Sequence, residues 1–248
     1  MRSGGGAAQL ILSPARRHLW PDPPASLRLV DAVMGAQMPP HQLRQLQSWT
    51  RRDMSSGEIG IVLSNRKAWQ HAVDAGWEWT LVLEDDAAVK PSLKGGIAQL
   101  LALLPELVAS ATTQHKQWQM IALSPVGLED FYGLCRPQDI PSLYRGAVPL
   151  GLRTPQPMGP ADSGWMRIGP TFHAFGWLYR RPLMQALLDA FDAAAPPLNP
   201  LDVWVWEVMA LKGYLRDALA PQRPLVTTRS MPGGSDSLRA ATGLQGTT

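Results

Sequence analysis

The sequence predicts an α/β fold: a single domain with a mostly parallel central sheet flanked by helices. Three observations carry this. Short apolar runs of strand length, "WTLVL" at 79–83 and "WQMIAL" at 118–123, alternate with longer segments of helical periodicity. Strand, helix and strand in that order suggest a right-handed parallel unit. With 248 residues, 45% of them hydrophobic, the chain is long and apolar enough for one substantial core.

Taken in order, residues 1–26 form a poorly defined N-terminal segment in which Gln9 to Leu12 suit a short strand. A proline-rich turn leads into a strand over 27–33, closed by Gly35. "HQLRQLQSWTRR" places Leu43 and Leu46 on one side of a short helix. The next helix is the best marked. Ser55 and Glu58 have capping-box spacing, Ile59, Val62, Leu63, Trp69 and Val73 fall at helical intervals, and Gly76 ends it. After the strand at 79–83, Pro91 opens a helix whose apolar face is Ile97, Leu100, Leu101, Leu104 and Val108. Residues 124–170 are rich in Pro and Gly and suggest a binding segment or lid. "FHAFGWLY" is a strand, "RPLMQALLDAF" a helix begun by Pro182, and "NPLDVWVWEVMALKG" a helix capped by Asn199. "RPLVTT" is a last short strand. The folded domain spans 27–230, and 231–248 form a flexible tail.

The net charge of +3 is modest, and no dense Lys/Arg cluster interleaves with aromatics, so nucleic acid is not an expected partner. No uninterrupted apolar stretch reaches the roughly 18 residues of a transmembrane segment. The single cysteine, Cys135, excludes an intrachain disulfide framework and suits a cytoplasmic setting. An ER or Golgi lumen is the alternative if an N-terminal signal precedes this chain.

Glu84, Asp85 and Asp86 directly follow the apolar run at 79–83. Adjacent carboxylates repel unless a cation, donors or open solvent offset the repulsion. Three readings compete. A solvated turn is one, although the C-terminal edge of a parallel sheet is where ligands bind. A phosphorelay receiver domain is the second, because "LVLEDDAAVKPSL" resembles its first strand. That likeness stops there, since "MIALSPVG" has no phosphate-accepting Asp and no Lys-Pro pair follows Lys90-Pro91. The third is a divalent-metal site for a nucleotide-sugar, in which carboxylates two apart, Glu84 and Asp86, face one hard cation.

Four stretches decide among these. "LVDAVMG", "SSGEIGIVLSNRKAWQHAVDAGWEWTLVLEDDAAV", "HAFGWLYRRPLMQALLDAF" and "PLNPLDVWVWEVM" resemble glycosyltransferase family 25, the group with lipopolysaccharide-type and procollagen galactosyltransferases. "PLVTTRSMPGGSDS" is a looser match to that family's C-terminal stretch. The resemblance implies a GT-A-like, Rossmann-like nucleotide-sugar fold. It implies an inverting transfer of a sugar, galactose being the commoner theme, from a UDP-sugar donor. The acceptor hydroxyl belongs to a glycan, a lipid-linked glycan or a protein, and the cofactor is Mn²⁺ or Mg²⁺. Carried over by position, Asp86 and Glu84 are the metal ligands, and Glu84 and Asp85 hold the donor diphosphate. Ser64, Asn65, Lys67 and Arg16 are further donor-binding candidates. An inverting reaction needs a general base for the acceptor proton. Asp202 is the first candidate and Glu207 the second, while a helix-start carboxylate is the simpler account of Asp202. The chain departs from the family at Asn65, where the pattern has His, and in its thin N-terminal strand. A catalytically degenerate relative that binds nucleotide-sugar or a partner without turnover is therefore the alternative.

Other residues have simpler readings. Arg66 and Lys67 suit a solvated helix face, Glu58 the capping box, and His173 a hydrogen-bonded core position. Trp165 and Trp204 are candidates for stacking on a sugar ring, although most of the ten tryptophans must be core. Ser235 and Asp236 are remote candidates for a metal shell.

Overall fold

The computed structural model describes residues 5–124, 156–157, 164–171 and 174–229. Its centre is an eight-stranded sheet. The strands are β1 (Ala7–Leu12), β2 (Leu27–Asp31), β3 (Trp79–Leu83), β5 (Met120–Ala122), β6 (Gln156–Pro157), β7 (Trp165–Arg167), β8 (Gly176–Arg180) and β9 (Ala218–Pro221). Their spatial order is β2-β1-β3-β8-β5-β9-β7-β6. β1, β2, β3, β5, β6 and β9 run one way, and β8 and β7 oppose them. The expected mostly parallel sheet is therefore present, but β3 and β5 are not adjacent. β8 lies antiparallel between them, because "FHAFGWLY" marks a strand without encoding its direction. A separate ribbon pairs β4 (Ala87–Val89) with β10 (Val226–Thr228) antiparallel.

Alternation along the strands builds two cores. On one face Ile11, Val30, Val82, Met120, Trp177 and Tyr179 pack beneath α2 (Ser56–Asp74), α4 (Arg181–Asp192) and α5 (Leu201–Leu211). On the other, Leu10, Leu12, Leu81, Leu83, Ile121 and Leu178 pack against α3 (Gly96–Gln114) through Leu100, Leu104 and Ala111. α1 (Pro40–Gln47) is a short surface helix.

The capping box of α2 is formed: Ser55 Oγ accepts from the Glu58 N–H, and Glu58 accepts from the Ser55 N–H at 2.9 Å. β1 sits between β2 and β3, with Gln9 wholly buried and donating to the Ala68 carbonyl. Pro91 does not open α3. The left-handed backbone at Gly95 and Gly96, φ 96° and 58°, delays the helix to residue 96. α3 spans 19 residues and is long and apolar enough to cross a membrane. Those are properties of length and composition alone; its inner face, with Leu100, Leu104 and Ala111, packs on the sheet. Asn199 does not cap α5. Pro200 occupies that position, and the Asn199 amide donates to Glu207 at 3.0 Å. Cys135, His173, Ser235 and Asp236 lie outside the described residues, as does most of 124–170.

Candidate functional site at the acidic turn after β3

The loops after β1, β2 and β3 adjoin at the C-terminal edge of the sheet, and close backbone packing holds them. A Cβ on Gly35 would stand 1.7 Å from the Ser56 carbonyl oxygen, and one on Gly60 2.5 Å from that of Val33. Only hydrogen fits at either position, so the start of α2 lies directly on the turn after β2. Ser64 completes this contact. Its hydroxyl donates to the Gly60 carbonyl at 2.6 Å and accepts from the Val33 N–H at 2.8 Å. Lys67 Nζ reaches the Asp31 carbonyl at 3.3 Å. Asn65 is buried, and its amide donates to the Ile61 carbonyl at 3.1 Å. All three side chains hydrogen-bond to backbone, of α2 or of β2 and the turn after it.

The acidic turn itself divides. Glu84 continues the alternation of Thr80 and Val82, which directs it to the α2–α5 face. The Glu84 side chain is half-buried, and its loss of water pushes the carboxyl pKa up to about 8, assisted by Asp86, Asp85 and Asp202 and opposed by Arg16. Asp202, in the first turn of α5, thus lies within electrostatic range of Glu84 although 118 positions separate them. Tyr179, fully buried on β8, faces the same two acids, and burial followed by their charge raises its pKa well above the ordinary value.

Asp85 points the opposite way. Its Oδ2 accepts from the Ser13 N–H at 2.9 Å, and its Oδ1 pairs with Arg16 at 2.7 Å. The Trp20 indole N–H donates to the Asp85 carbonyl at 2.9 Å. Arg16 also stands 3.6 Å from Asp86. Burial works to lower the Arg16 pKa, but its hydrogen bond to Asp85 and the charges of all three acids hold it above its ordinary value. The 3-10 helix at Pro14–Leu19 delivers this guanidinium.

The structure therefore gathers Arg16, Glu84, Asp85, Asp86 and Asp202 at one edge. Glu207 is directed elsewhere: five residues past Asp202 is roughly 140° around a helix. It is buried, paired with Arg51 at 2.8 Å and bonded to Asn199, and burial raises its pKa. Trp204 is fully buried and stacked on Trp69, with its N–H on the Pro196 carbonyl; Trp165 is buried, its N–H on Ser110. Neither ring presents a face to a sugar. Ser13, Trp20, Tyr179 and Arg229 were not foreseen as site residues, because their partners come from other elements of the fold and no local pattern marks them.

With this geometry established, comparison with known proteins gives a family likeness for part of the chain. The profile of glycosyltransferase family 25 (LPS biosynthesis protein) matches residues 24–128. Residues 24–128 carry the family 25 signature. The matched region is less than half of the chain and runs from before β2 to beyond β5, so it contains the turn after β2, α2 and the acidic turn. Three curated relatives agree. A Bos taurus protein named probable inactive glycosyltransferase 25 family member 3 is 30% identical over 83 residues, 30% of this chain and 14% of its own. A glycosyltransferase 25 family member of Aedes aegypti is 35% identical over 79 residues, 28% of this chain and 13% of its own. Human procollagen galactosyltransferase 2 is 30% identical over 84 residues, 30% of this chain and 13% of its own. The matches to these family 25 proteins span only 13% to 14% of the relatives' length. Asp202 and Arg229 lie outside the family-matched region.

Proposed function

We propose that the chain transfers a sugar, galactose in the favoured case, from a UDP-sugar to an acceptor hydroxyl with inversion. The acceptor class spans glycans, lipid-linked glycans and protein hydroxyls. The observation that carries this reading is the convergence of Asp202 and Glu84 from two distant segments onto the edge bearing Asp86. A solvated acidic turn would neither be desolvated nor require a second helix to bring another carboxylate.

The donor set fits a hard divalent ion, Mn²⁺ or Mg²⁺, because every candidate ligand is a carboxylate oxygen. Among the described residues no three His, Cys, Asp or Glu side chains gather into a cage of their own. Asp86, with Glu84 nearest in the chain, would supply one or two oxygens to such an ion. Bound there, the ion would help neutralise the charge developing on the departing UDP. Asp85, held by Ser13 and Arg16, keeps the guanidinium at the edge, where it can also face the diphosphate. Asp202 takes the proton from the acceptor hydroxyl. The acceptor oxygen then bonds to the anomeric carbon as the carbon–oxygen bond to UDP breaks, and UDP leaves with that electron pair.

A second reading has its own support. Arg16 already offsets Asp85 and Asp86, and one relative is named probable inactive. A domain of that kind would bind nucleotide-sugar without turnover. Release of UDP from UDP-galactose with Mn²⁺ separates the two. The transferase reading expects metal-dependent release that falls at least about a hundredfold in Asp86→Ala. Absence of release in the wild type, with UDP still bound, selects the second reading.

A further inference from the structure

We propose that Arg229 is a positioning residue of the acidic turn, making the end of β10 a working part of the site. The inference rests on the nucleotide-sugar reading for its functional consequence. Arg229 follows β10, whose partner β4 begins at Ala87, one residue past Asp86. From there it spans the whole turn. Its N–H donates to the Asp86 carbonyl at 2.7 Å, and its Nε donates to the Ala87 carbonyl at 3.2 Å. Its Nη1 donates to the Leu19 carbonyl at 2.6 Å, and its guanidinium lies 4.8 Å from the centre of the Trp20 ring.

These contacts close a ring, because the Trp20 N–H donates to the Asp85 carbonyl. One arginine thus ties the Asp86 and Ala87 carbonyls to the helix that presents Arg16, and Trp20, under its guanidinium, holds the Asp85 carbonyl. Carbonyl oxygens are the acceptors of its guanidinium, so the clasp leaves the carboxylates of the turn to other partners. A planar fork that both bonds carbonyls and stacks on an indole suits arginine and not lysine. A two-stranded ribbon of three-residue strands is too short to hold a turn unaided. The clasp supplies what the ribbon lacks, and groups that orient ligand-bearing residues commonly set metal affinity.

Calorimetric titration of the full chain with UDP and Mn²⁺, joined to amide hydrogen exchange over residues 84–89 and 118–123, tests this in wild type, Arg229→Ala and Arg229→Lys. Arg229→Ala is expected to bind UDP about tenfold more weakly. Exchange should quicken over 84–89 while 118–123 stay protected, and lysine should recover part of both effects. Wild-type affinity and exchange in Arg229→Ala overturn the proposal. If Arg229→Ala is unfolded, Arg229→Lys decides: loss of protection confined to 84–89 supports the clasp, and uniform or no loss overturns it. If the wild type binds no UDP, the nucleotide-sugar reading fails, while the exchange pattern still decides whether Arg229 holds the turn.

Discussion

Glu84 and Asp85 are neighbours in the chain and opposites in environment. Asp85 meets two donors, the Ser13 N–H and the Arg16 guanidinium, as it leaves the sheet toward the 3-10 helix. Glu84 turns into the α2–α5 face, where burial and the charges of Asp86, Asp85 and Asp202 raise its pKa to about 8. β3 ends at Leu83 and the chain then turns, the Ala87 N–H donating to the Glu84 carbonyl at 3.0 Å, so the turn carries the two carboxyls to different partners. One acidic run therefore has two tasks: a paired side that fixes the turn, and a desolvated side held near the acid of α5. Charge count would not have distinguished them.

If Asp202 belongs to the desolvated side as a base, Asp202→Asn should lower kcat by about 10² to 10⁴ while UDP affinity stays near wild type. Steady-state turnover and calorimetry on the same sample check this; equal loss of binding would place Asp202 with the scaffold. The paired side is sharpened by Asp85→Ala, which leaves Arg16 without its nearest carboxylate. A loss of about 3 kcal/mol in urea unfolding is expected, and a loss near zero would show the pair to be surface-like. Gly35→Ala tests the packing of α2 on the turn after β2. With a carbonyl 1.7 Å from the new Cβ the backbone must move, for a cost of about 2 kcal/mol. An unchanged urea midpoint would contradict the close approach of α2.

The last test concerns Glu84 and pH. Its folded pKa, about 8, lies above the ordinary 4.5, so the native state keeps a proton that the unfolded chain has lost between those values. Stability therefore falls as pH rises from about 4.5 to about 8. The wild-type urea midpoint should be lower at pH 8 than at pH 5, with a smaller drop in Glu84→Gln. Identical slopes in the two proteins would remove Glu84 from the desolvated side.

Much of the scaffold is legible locally. Ser55 and Glu58 announce the start of α2, Gly76 follows its end, and the apolar run at 79–83 is β3 with the expected bounds. The three- and four-residue strands β4, β7 and β9 are too short to show a period, and neighbours define them instead. The antiparallel insertion of β8 is invisible for a related reason, since local pattern carries no direction. Glu84, Asp85 and Asp86 stand out as a cluster, yet their division does not. It depends on Ser13, Arg16 and Trp20, all more than 60 positions away, and on where α5 docks. Asn199 shows the limit of a local rule: it has cap chemistry at a cap position, and a buried glutamate takes its amide instead.

The central claim is that a divalent cation and a nucleoside diphosphate meet at the edge bearing Asp86. Calorimetric titration of UDP into wild type and Asp86→Ala, each with Mn²⁺ and with EDTA, tests it most directly. The account predicts saturable binding in wild type that requires Mn²⁺ and is lost in the variant. UDP binding that is indifferent to both the metal and the substitution, or no binding to the wild type at all, would contradict it.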